Sequence, residues 1–75
     1  MMAELDIVVL KQDLPAEGLR AGDVGTIVMV YDDGKAYEVE FTALTGETVS
    51  VVTVPASAIR PAESTDVTHA RAAVA

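Results

Sequence analysis

Turn-forming residues interrupt this chain so often that they dictate what can lie between them. Leu14-Pro15, Glu17-Gly18, Gly22-Asp23-Val24-Gly25, Asp32-Asp33-Gly34 and Thr45-Gly46-Glu47 separate runs rich in Val and Ile. Gly supplies positive φ, Pro presets φ for a turn, and Asp bonds its own neighbouring backbone, so each cluster ends a strand and reverses the chain. Valine-rich runs between tight turns are the pattern of a small all-β domain. The expected strands cover 6–10, 25–31, 36–41 and 48–54, with a short fifth at 59–61. Residues 11–22 form a long loop whose leucines, Leu14 and Leu19, are expected to tuck into the mouth of a barrel.

The third strand carries the cleanest alternation. Tyr37, Val39 and Phe41 face one way, and Glu38 and Glu40 the other. Gly34 is expected to supply the positive φ of the preceding hairpin, and Gly46 turns the chain into the fourth strand. Pro55 ends that strand, and Ala56-Ser57-Ala58 has room for one helical turn. Beyond residue 62 the chain becomes polar and then Ala-rich, so 63–75 is expected to be a C-terminal tail, partly disordered or a short helix.

Size and charge narrow the function. The 75 residues contain no cysteine, which removes disulfides and thiolate zinc sites as sources of stability. A domain this small then depends on aliphatic packing or on self-association. Twelve acids against five Lys and Arg leave a net charge of −7. That balance repels nucleic-acid phosphates and anionic lipid headgroups. No apolar run approaches the roughly eighteen residues of a membrane span, and MMAELDIVVL has acids where a signal peptide has bases. A cytoplasmic protein is expected.

Five short strands, a long first loop and a Pro-initiated turn before the last strand match an SH3-like barrel. Val54-Pro55-Ala56-Ser57-Ala58-Ile59 looks like the turn before the last strand of SH3 domains. Gly22-Asp23-Val24-Gly25-Thr26-Ile27-Val28 resembles the glycine turn of the KOW group, SH3-like modules of ribosomal and transcription proteins. With Asp6, Val8, Leu10, Asp13-Leu14-Pro15, Gly18-Leu19, Tyr37-Glu38-Val39-Glu40-Phe41 and Val54-Pro55-Ala56, residues 4–62 resemble a family of small bacterial proteins, common in cyanobacteria. That family is known only as a domain of unknown function. The resemblance implies the fold and no established activity.

The residues supply few candidates for chemistry. A phosphate cradle needs free amides at a helix N-terminus and a nearby Lys, whereas the glycine turn here carries Asp23 and launches a strand. A nucleic-acid surface around that turn would rest on Lys11 and Arg20, opposed by Asp13, Glu17 and Asp23. Proline-rich peptide capture needs an aromatic groove, and the chain has two Tyr, one Phe and no Trp. The single histidine, His69, lies in the tail away from Ser50 and Ser57, so no nucleophile and base can be paired. Asp32 and Asp33 read as turn chemistry, since their surroundings lack the spaced ligands of a calcium loop. No catalytic residue, cofactor, metal site or small-molecule substrate is expected.

The second strand is the anomaly, because both of its faces are apolar. With Val28 and Val30 assigned to the core, Ile27, Met29 and Tyr31 face outward, a patch that monomers rarely leave in water. Glu38, Glu40 and Glu47 add an acidic outer face with Asp32 and Asp33. The expectation is a non-catalytic protein-interaction module that pairs with itself or with another protein, in the manner of an antitoxin-like or accessory partner. Ile27, Met29 and Tyr31 would give apolar contact, and Glu38, Glu40 and Glu47 electrostatic selection. The alternative is a KOW-like nucleic-acid or ribosome-associated module.

Overall fold

A computed structural model describes residues 2–42 and 48–63 of the chain. The fold is all-β, with five antiparallel strands in one sheet: β1 (Ile7–Leu10), β2 (Val24–Tyr31), β3 (Ala36–Thr42), β4 (Thr48–Pro55) and β5 (Ile59–Pro61). The strands lie in the order β4-β3-β2-β1-β5. Strands β2 to β4 form a meander, and β5 returns to the far side of β1.

The expected barrel is not closed. Among the described residues, strands β4 and β5 end the sheet on opposite sides and β5 pairs with β1 alone. At three residues, the last of them Pro61, β5 has too little backbone to seal a second seam. Glu47 and the turn at Gly46 lie outside the described residues, as does the chain beyond residue 63 with His69.

Every strand contributes to one core. Val8 and Leu10 come from β1, Ile27 from β2, Tyr37, Val39 and Phe41 from β3, Val54 from β4 and Ile59 from β5. Leu19 reaches this core from the long loop, and Leu14 packs partly buried against it, as expected of the loop leucines. A bridge between Leu14 and Leu19 pinches the loop around a 3-10 turn at Pro15–Glu17. The Ser50 hydroxyl donates to the Glu17 carboxylate at 3.2 Å and ties the loop tip to β4.

Local chemistry explains the small shifts at element ends. Asp6 stays out of β1 because it closes a turn. Its N–H donates to the Ala3 carbonyl at 3.0 Å, and its carboxylate accepts from the Ala3 N–H at 2.8 Å. In the β2–β3 hairpin the left-handed conformation extends beyond Gly34 (φ 94°) to Asp32 (φ 50°) and Asp33 (φ 55°). Asp tolerates that region better than most side chains. Ala56–Ala58 forms the expected single turn, of 3-10 type.

The phase of β2 differs from expectation. Ile27 is fully buried, whereas Val28 is 37% exposed. The register slips between Ile27 and Met29, so Val28 is the extra residue of a β-bulge. Ile27 pairs with Val39 before the bulge and Val30 with Tyr37 after it. Both therefore face the core, and the outward assignment of Ile27 is corrected. Met29 and Tyr31 do take the outer face.

Candidate functional site: the outer face of the sheet

Residues directly opposite one another in a sheet share a face, so the register defines the surface that turns away from the core. One row runs Ile7, Thr26, Glu40, Val51 across β1 to β4. A second row is Met29, Glu38, Thr53, and a third is Tyr31, Ala36, Pro55. Met29, Tyr31, Glu38 and Glu40 are thus brought together on β2 and β3. Ile27 is not among them, and Glu47 lies outside the described residues.

Sequence reasoning missed two members of this face. Ile7 is 47% exposed and Val51 48%, close to the 44% of Met29. Their signal was available in the alternation of β3: once Tyr37, Val39 and Phe41 point inward, Glu40 and the residues opposite it must point outward. The face is therefore aliphatic and acidic in mixture, with Ile7, Met29 and Val51 around Glu38 and Glu40.

One contact organises its centre. The Tyr31 hydroxyl donates to Oε1 of Glu38 at 2.8 Å. That hydrogen bond, then desolvation, then the Glu38 charge raise the phenol pKa above its ordinary value of 10.0. Met29 lies opposite Glu38 in the register, so an apolar group stands next to a hydrogen-bonded carboxylate.

The glycine turn that precedes β2 is occupied by its own protein. The Arg20 N–H donates to the Asp23 carboxylate at 2.9 Å and the Ala21 N–H to the Asp13 carboxylate at 2.9 Å. The Gly22 N–H donates to the Leu10 carbonyl at 2.8 Å and the Asp23 N–H to the Arg20 carbonyl at 3.0 Å. Four successive amides that a phosphate cradle would require are already engaged. Two carboxylates stand where the anion would sit.

Among the described residues no three His, Cys, Asp or Glu side chains gather as metal ligands. No helix among them is long and apolar enough to cross a membrane. In comparisons with known proteins, the family model described as a domain of unknown function (DUF4926) matches residues 4–61. No curated protein and no solved structure matches the chain.

Proposed function

The chain belongs to the DUF4926 family of domains of unknown function, and on that premise we propose that it is a non-catalytic protein-binding module. Its contact surface is the outer face of the sheet. The observation that carries this reading is the joining of half-exposed Ile7, Met29 and Val51 with Glu38 and Glu40 on one face of paired strands. Apolar groups give such a surface its affinity, and ordered carboxylates select a partner by charge. The partner that fits is a protein with an apolar anchor flanked by Lys or Arg.

The strand order supports the finer reading of the unit as a relative of SH3-like modules, with β5 beside β1 and a 3-10 turn leading into β5. In this relative the seam between β4 and β5 stays open, and the aromatic peptide groove of SH3 domains is replaced by an aliphatic and acidic sheet face.

The test is affinity capture of the partner from the native cell, followed by titration of the purified pair. Met29→Glu and Glu38→Lys should each weaken binding by about tenfold or more, with melting curves that show both variants folded. Amide shifts on adding the partner should map to β2 and β3. Shifts confined to the loop side of the sheet, or unchanged affinity in both variants, would overturn the proposal.

A further inference from the structure

The last paired residues of β5 set where the rest of the chain starts. Pro61 lies opposite Val8 of β1, and the Ala62 N–H donates to the Ile7 carbonyl at 3.0 Å. Ile7 is the first member of the row that runs Ile7, Thr26, Glu40 and Val51 across the outer face. The chain therefore leaves the sheet at one margin of that face. Residues 64–75 follow, with Val67 and Val74 on either side of Arg71.

We infer that residues 64–75 close over the outer face from this margin, setting Val67 and Val74 against Ile7 and Met29, and Arg71 against Glu38 and Glu40. The segment is then a tethered competitor for the partner of this face, and an incoming protein has to displace it. This deepens the reading of the outer face as a binding surface and rests on it for its regulatory meaning.

Charge, composition and reach select this occupant. Residues 64–75 hold Arg71 against a single acid, Asp66, so residues 1–63 carry the whole −7 of the chain. A second copy would bring that charge to the face and be repelled, whereas the neutral segment is not. Two valines around an arginine also supply the apolar anchor and the cation that this face fits. Glu40 stands two strand spacings from Ile7, roughly 10 Å. The nine residues from Ala62 to Arg71 span about 30 Å extended and about 13 Å as a helix. Either form brings Arg71 over the carboxylates. Attachment raises the effective concentration of the segment to the millimolar range. Contacts too weak to hold a free peptide then suffice to close the face.

Nuclear Overhauser contacts between side-chain methyls of the full chain test the inference without any partner. Methyls of Val67 or Val74 should show cross-peaks to Met29 or Ile7. Arg71→Glu should reduce their intensity by about threefold or more, with melting curves that show the variant folded. A mixture of differently isotope-labelled chains should show no such contact between molecules. Absence of the contacts in the wild type overturns the inference and leaves the protein-binding reading standing. So do contacts that Arg71→Glu leaves unchanged, or contacts found only between molecules, which would give the face to the segment of another copy. Once the partner is captured, Arg71→Glu should tighten its binding by about threefold, because the open face is more fully populated. Contacts that persist at saturating partner place that partner elsewhere. They overturn the binding reading of the outer face and the competitor role, while the closure itself stands.

Discussion

Gly25 of β2 lies opposite Phe41 of β3, and a β-carbon on the glycine would stand 2.9 Å from the Phe41 ring. The same carbon would stand 2.7 Å from Cγ1 of Val39 and 2.9 Å from the Glu40 carbonyl oxygen. The backbone oxygen cannot rotate away, so the absence of a side chain is what lets β2 and β3 pack this closely. Gly25→Ala should lose about 1–3 kcal/mol of stability, the usual range for overpacking. Chemical denaturation measures it, and a neutral result would mean that the strands can part without penalty.

Gly22 is needed for a different reason. Nothing would touch its β-carbon within 4 Å, but its φ of +98° is a conformation that side chains rarely adopt. Gly22→Ala should destabilise by about 1 kcal/mol through backbone strain. Gly22→Asn should recover part of that loss, because Asn enters the left-handed region more readily than Ala. The same asparagine at Gly25 should give no recovery.

The bulge at Val28 makes neighbouring residues differ sharply. Ile27→Ala removes a fully buried side chain and should cost about 2–5 kcal/mol. Met29→Ala, at a position 44% exposed, should change stability by about 0.5 kcal/mol or less. Thermal melts of the two variants check the phase of β2 directly. Equal losses would contradict the bulge.

Tyr31 gives a pH signature. Because the folded state raises its phenol pKa, through the Glu38 hydrogen bond first, the contribution is present in full below the unfolded value of 10.0 and disappears as pH rises through the folded one. Stability should therefore fall at alkaline pH, and Tyr31→Phe should reduce that fall. In an ultraviolet titration, Glu38→Ala should move the Tyr31 phenolate transition back toward lower pH. An unmoved transition would show that Glu38 does not hold the phenol.

Asp23 closes the turn before β2 by accepting the Arg20 N–H at 2.9 Å, while its own carbonyl accepts the Leu10 N–H at 2.8 Å. Asp23→Ala should lose about 1 kcal/mol, as for other carboxylates that cap backbone amides. Hydrogen exchange should quicken at Arg20 and leave Leu10 protected, since the latter bond is to the backbone.

Much of the fold was written in local chemistry. The positions of all five strands followed from Gly, Pro and Asp turns and from β-branched runs, because turn conformations depend on one or two residues at a time. The alternation of Tyr37, Val39 and Phe41 with Glu38 and Glu40 likewise determined the inner and outer faces of β3 before any partner strand was known. What the tertiary structure decided was the phase of β2, the exposure of Ile7 and Val51, and the open seam between β4 and β5. Strand β2 is apolar on both faces, so its own residues satisfy either phase. Only its register against β3, slipped at Val28, chooses the one that buries Ile27 and turns Val30 partly buried onto the core. Closure depends on backbone left over after β1 and β5 have paired, a length that no single turn or run encodes.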